Sequence, residues 1–391
     1  MSTNLIRMKF AAVAAKIETV VGTDVIAGSP SAADFIGSEM EIQFDPDVIE
    51  IPEFNGSLDK TASVVGGLKP RLRLRMPLRG SGTAGTAPEW GRLLQACTFA
   101  ETVTAAAVGG PTAAAAGTTT TATAAAPFAA TAQLYRGMPL VITVVSPGTT
   151  GIMDYTVGRV MTLGDTRTLI TTSSLLSVPI NVLYSPTSDE SVYKTLTIYF
   201  YADGLLWTFV GVSGTASIEL TSGGIGFLTF EMRGSFGAKS AASVPAAATT
   251  AANTRIALVP PRFVSGKMQL NKALAQAKTL TVNAGVNVVL PDDPESSEGY
   301  GAAVPVERDV TGAINPYINT SNSLALFTAF RASTPMSLMA IIGSTAGNRM
   351  LVTCPAVKAI AMDPGNREGL GEHGINFQAD GADAAFYISH F

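Results

Sequence analysis

Lys194-Thr195-Leu196-Thr197-Ile198-Tyr199-Phe200-Tyr201-Ala202-Asp203-Gly204 is the stretch on which the fold turns. Thr, Ile, Tyr and Phe in succession favour a pleated backbone. Tyr199 and Tyr201 fall on one face of such a strand, Ile198 and Phe200 on the other. Both faces are therefore expected to be covered, one within the chain and one against a neighbour. Asp203-Gly204 supplies the two residues of a tight hairpin turn. The chain then returns over residues 205–210, continues over 215–220, turns at Gly223-Gly224-Ile225-Gly226 and runs out again over 227–236.

Upstream, Glu39-Met40-Glu41-Ile42-Gln43-Phe44-Asp45 alternates strictly, with Met40, Ile42 and Phe44 on one face and acids on the other. Asp47, Glu50 and Glu53 extend the acidic character past Pro46 and Pro52. Arg71-Leu72-Arg73-Leu74-Arg75-Met76 alternates as cleanly, with three guanidinium groups on one side. A Gly-rich loop (residues 80–85) follows, and Pro88 opens a short helix striped by Trp90, Leu93, Leu94 and Cys97.

The same order recurs. Residues 68–99 and 303–331 each read as strand, loop and amphipathic helix, and each is followed by strand, Gly turn, strand and a further Gly-rich crossing (193–236 and 337–389). The expected division is an N-terminal arm (1–35), a first β-sandwich domain split into 36–103 and 185–237, and an inserted small β subdomain (104–184). A linker (238–254) and a second domain (255–391) complete it. Within the insertion, residues 140–145, 155–161 and 168–172 read as strands, with a turn at Gly164-Asp165. Residues 102–132 are nearly all Ala, Thr, Gly and Val, compatible with either a linker or a flat, covered strand. In the second block, strands are expected at 268–270, 279–290, 338–342 and 349–354, and a helix at 323–330.

Charged residues make up only 14% of the 391, well under the roughly 25% of an ordinary soluble domain. Much of the surface is therefore expected to lie against neighbours, although a quiet β-rich surface reads the same way. A net charge of −4 gives no basic footprint for gripping phosphates. No apolar run is long enough for a membrane helix, and residues 10–15, closed by Lys16, are too short for a secretory leader. Cys97 and Cys354, one per repeat, form no disulfide framework and are expected to be reduced and buried, as in a cytoplasm.

The sequence resembles the major tail tube proteins of long-tailed bacteriophages with non-contractile tails. The resemblance rests on Lys16-Ile17-Glu18-Thr19 with Gly22-Thr23-Asp24, on Arg79-Gly80-Ser81-Gly82 with Ala87-Pro88-Glu89-Trp90-Gly91-Arg92-Leu93-Leu94-Gln95-Ala96-Cys97, and on Lys194 through Gly204 with Gly211-Val212-Ser213-Gly214. Val306-Glu307-Arg308-Asp309 and Gly347-Asn348-Arg349-Met350 carry it in the second block. It implies a mainly β fold of two tandem tail-tube β-sandwich domains, each with a flanking helix, assembled as stacked rings around a bore. Single-domain relatives form hexameric rings, so two domains per chain imply trimers with pseudo-sixfold symmetry. The implied partners are further copies of the chain, a tape measure protein, tail terminator and distal tail proteins, and double-stranded DNA in transit. The implied location is the virion after synthesis in the host cytoplasm, without membrane insertion.

Glu39, Glu41 and Asp45 are the candidates for an acidic lumen wall that repels phosphates. A solvated outer face is the plain alternative, and the Arg71/Arg73/Arg75 face is an alternative lining. Those arginines are expected instead to contact neighbouring subunits, with Asp47, Glu50 and Glu53 as mates. No catalytic, cofactor or metal residue is expected. His373 and His390 accompany no Gly-x-Ser-x-Gly elbow, the cysteines lack metal-ligand spacing to either histidine, and Gly223–Gly226 has no Lys-Ser/Thr after it. Asp292-Asp293-Pro294-Glu295 reads as a solvated loop. The rival readings are a distal tail or baseplate component of the same fold, a carbohydrate-binding β-sandwich adhesin, and a membrane porin. Aromatics inside strands disfavour the adhesin, and their scarcity disfavours the porin.

Overall fold

The computed structural model describes residues 6–54 and 56–391. Residues 1–5 of the expected arm lie outside the described residues. β1 (Ala12–Ile17) turns Val13 and Ala15 into the core and pairs with β2 (Phe35–Ile36). β3 (Glu39–Ile49) and β4 (Val64–Pro77) form a long hairpin whose alternation buries Leu72, Leu74 and Met76. Helix α1 (Gly91–Gln95) carries buried Leu93 and Leu94 beside fully buried Trp90.

After β5 (Phe99–Thr104) come β6 (Val108–Ala113), β7 (Ala116–Gly117), β8 (Thr121–Thr123), β9 (Pro139–Thr143), β10 (Gly148–Tyr155), β11 (Val160–Leu163) and β12 (Leu175–Val178). These last seven make a separate sheet around Phe128, Tyr155, Met161 and Leu176. The chain returns in β13 (Asn181–Pro186), which pairs with β5 as a stem.

β14 (Leu196–Ala202), β15 (Gly204–Thr221) and β16 (Phe227–Ala242) form the meander that the Asp203-Gly204 turn predicts. Asp203 and Gly204 both have positive φ, 42° and 102°, as a tight hairpin between right-twisted strands requires. Helix α2 (Ala246–Ile256) leads to β17 (Lys267–Leu270), β18 (Ala273–Leu274), β19 (Ala277–Asn283), β20 (Val286–Val289), β21 (Val304–Arg308) and β22 (Thr311–Pro316). Helix α3 (Thr320–Arg331) is followed by β23 (Met336–Ile342), β24 (Met350–Arg367), β25 (Leu370–Ala379) and β26 (Tyr387–His390).

One strand order occurs twice. The first run is β1-β14-β15-β16-β4-β3 and the second is β17-β23-β24-β25-β22-β19. The likeness extends to irregularities. Leu196 faces Val212 and Ile198 faces Phe209, a bulge matched where Met336 faces Val357 and Leu338 faces Cys354. Pro46 faces Leu68 and Val48 faces Val65, matched by Val286 on Arg308 and Val288 on Pro305. β15 and β24 are both 18 residues long. A shared apolar core runs through both copies.

Several expectations change. The arm is not free, because β1 pairs with β14 along its whole length. Residues 238–254 continue β16 to Ala242 and then coil into α2, whose Ala248 and Ala251 pack beside Phe35 and Tyr201. Small side chains let that helix approach closely, which composition alone reads as a linker. Residues 155–161 hold the β10–β11 turn rather than a strand, and 168–172 are irregular, with Ile170 buried against Gly117.

Candidate assembly face and strand edges

The two copies are joined through β15. Its first half pairs with β14, and its second half takes β19 along the same edge, Ser217 opposite Asn283 through Thr221 opposite Thr279. The result is one continuous run of eight strands, β3-β4-β16-β15-β19-β22-β25-β24. Both ends are open among the described residues. β3 pairs only with β4, and β24 beyond Val357 pairs only with β25.

One face of this run is apolar and packed. The other carries Glu39 and Glu41 on β3, Arg71, Arg73 and Arg75 on β4, and Glu231 and Arg233 on β16, set in register across the strands. Farther along, Thr281 and Asn283 on β19 and Asn376 and Gln378 on β25 share this face with charges of both signs, Glu219 on β15, Lys358 and Asp363 on β24 and Glu372 on β25. Arg71 pairs with Asp45 and Arg73 with Glu41 at 3.5 Å, while Arg75 lies 3.9 Å over the Phe227 ring. Glu39, Glu41, Asp45 and the three arginines therefore form one interleaved array on a single hairpin. Lys60 takes Glu50 at 2.9 Å. The backbone N–H of Glu53 donates to the Ile51 carbonyl at 3.0 Å.

Asp47 lies apart, at the joint between the copies. Lys69 meets it at 3.0 Å, and the Tyr300 hydroxyl donates to its other oxygen. The Tyr300 bond first, then the Lys69 bond, hold its carboxyl below the usual carboxylate range. Tyr300 belongs to the loop 290–303, which clasps the first copy. Leu68 N–H donates to Glu298 at 2.9 Å, Ala303 N–H to the Gly211 carbonyl at 2.9 Å, and Ser235 Oγ to the Gly301 carbonyl at 2.9 Å. Thr215 adds a side-chain link, accepting from Val286 N–H at 3.0 Å. Neither Tyr300 nor Thr215 stands out in the sequence, since their roles depend on which strands meet.

Glu18 is a buried carboxylate with four donors: Gly22 N–H (2.7 Å), Gly211 N–H (2.8 Å), Thr195 Oγ1 (2.6 Å) and Thr197 Oγ1 (3.0 Å). It fixes the chain after β1 against the bulge of β15, where Gly211 has φ 60°.

Ser323 Oγ lies 2.9 Å from His373 Nε2, but His373 Nδ1 has no hydrogen-bond partner, so the pair lacks a triad's orienting carboxylate among the described residues. His390 Nε2–H donates to the Gly347 carbonyl at 2.7 Å. Cys97 and Cys354 are free and fully buried, and burial pushes both thiols up. Among the described residues no cluster of three metal-ligating side chains occurs, and no helix is long and apolar enough to cross a membrane.

A duplicated sheet, polar on one face and open at two edges, defines a structural protein of the self-assembling class. The family model for phage tail tube proteins matches residues 11–379, and the chain belongs to that family. It is thus a structural virion component that assembles into a tube. A comparison with curated proteins found no match.

Proposed function

We propose that this chain forms trimeric rings, each presenting six tube modules around a bore, and that stacked rings conduct DNA from the virion into the host. The observation that carries the reading is the recurrence of one strand order, bulges included, with the two copies already joined edge to edge through β15 and β19. The modules are taken as 36–103 with 185–237, and 255–391. The sheet of β6 to β12 is an outward decoration on the β5–β13 stem. The face bearing Glu39, Glu41, Arg71, Arg73 and Arg75 lines the bore. Its charges of both signs, arginines and lysines set beside carboxylates in each half, offer phosphates no continuous positive track. This replaces a purely acidic wall as the reason DNA slides.

The chain performs no chemistry in this reading. Its ring-to-ring contacts use the exposed hairpin ends, and its heterologous partners are the tape measure, terminator and distal tail proteins. It is made in the host cytoplasm. Negative-stain microscopy of the purified protein tests the proposal. Rings or hollow tubes are expected; monodisperse monomers that bind glycans would instead favour an adhesin.

A further inference from the structure

Resting on that reading, the internal joint gives the register of the joint between chains. We infer that β3 of one copy adds to the free edge of β24 in the next, with Gln43 opposite Asp363, Glu41 opposite Gly365 and Glu39 opposite Arg367.

Each pairing follows from the duplication. β19 stands in the second copy where β3 stands in the first: Leu280 faces Ile314 as Met40 faces Leu74, and Val282 faces Gly312 as Ile42 faces Leu72. β24 stands where β15 stands: Met362 faces Ile375 as Ala216 faces Phe230. The observed contact of Ser217 with Asn283 and Thr221 with Thr279 then transfers to Asp363 with Gln43 and Arg367 with Glu39.

The unpaired edges look unfinished in the single chain. Leu280 and Val282 are fully buried, whereas Met40 and Ile42 of β3 are only half-buried. The loop 50–63 equals the clasp loop 290–303 in length, yet its Phe54 and Leu58 are fully exposed. Val48, Ile49, Val64 and Val65 beside it are exposed as well. The seam also changes on both sides at once. Inside the chain, Thr215 accepts from Val286 N–H. In the seam, Pro46 replaces Val286 and has no N–H, while Ile360 and Ala361, at a bulge of β24, replace Thr215 and have no hydroxyl. A hydrogen bond gives way to an apolar contact, and Ile360, 57% exposed in the single chain, acquires a partner. The occupant is a second copy of this chain. A head-to-tail contact of this kind closes a ring when the rotation permits.

Cysteine pairs on assembled rings test the register against a low background, because Cys97 and Cys354 are buried. Gln43→Cys with Asp363→Cys, both at exposed positions, is expected to convert most chains to covalent dimers and trimers on mild oxidation. Glu39→Cys with Asp363→Cys, out of register, is expected to cross-link at least about tenfold less, because direct neighbours alone bring Cβ atoms within disulfide reach. Equal cross-linking of both pairs, or none in rings that still form, would overturn the register while leaving the tube standing. Ile360→Glu is expected to give folded monomers; rings from that variant as abundant as the parent's would also overturn the seam. Absence of rings from the unmodified protein would instead remove the assembly and the seam together.

Discussion

At the residue scale, buried polar groups hold the first copy in shape. Glu18 satisfies four donors, three of them in buried bonds, and leaving buried donors unpaired is costly. Glu18→Ala is expected to destabilise the chain by about 3 kcal/mol, read as a lower denaturant midpoint. His390, with no exposed surface, adds a pH dependence. Burial depresses its pKa below the ordinary 6.5, against the opposing effect of its bond to Gly347. The folded state thus favours the neutral ring. Its stabilisation is present above pH 6.5 and is lost as pH falls through the depressed folded value. Melting temperatures of the wild type and of His390→Gln should diverge progressively below pH 6.5, the wild type falling faster. Parallel acid limbs would refute this role.

At the element scale, the clasp loop 290–303 depends on close approach. Gly67 is where a Cβ would sit 1.9 Å from the Glu298 carbonyl oxygen, backbone that cannot yield without moving the loop. Gly67→Val should detach the loop, seen as faster amide exchange and proteolysis at 290–303 with the β14–β16 meander still protected. The elements most legible in the sequence were those with strict alternation or a strong turn: β3, β4, β14 and the Asp203-Gly204 hairpin. Their side chains declare a buried and an open face without help from elsewhere. The duplication was legible for the same reason. β6 to β8 and α2 were not, because Ala, Thr and Ser carry no apolar period and take their structure from close packing. Residues 168–172 have a strand-like composition yet form no strand; Ile170 packs on Gly117 and its N–H donates to the Thr118 carbonyl at 3.2 Å. The charged candidates were found, but not their partners. Arg73 meets Glu41 only because the β3–β4 register sets them opposite, and that register is invisible until the hairpin is folded.

At the scale of the whole molecule, the chain is two copies of one sheet with a finished joint between them and an unfinished edge at either end. In the proposed assembly, pairing of those edges would be favoured by concentration, by mass action. In the proposed trimer, three chains supply three internal joints and three seams, six quasi-equivalent contacts that join the eight-stranded run of each chain to the next. Membership of the tail tube family gives the assembly its setting, and the duplication is the ground for the proposed count of three. Native mass spectrometry of rings released from purified tubes measures that count directly. The account predicts a ring mass of three 40.4 kDa chains. A ring of six chains, with twice the number of modules, would contradict it.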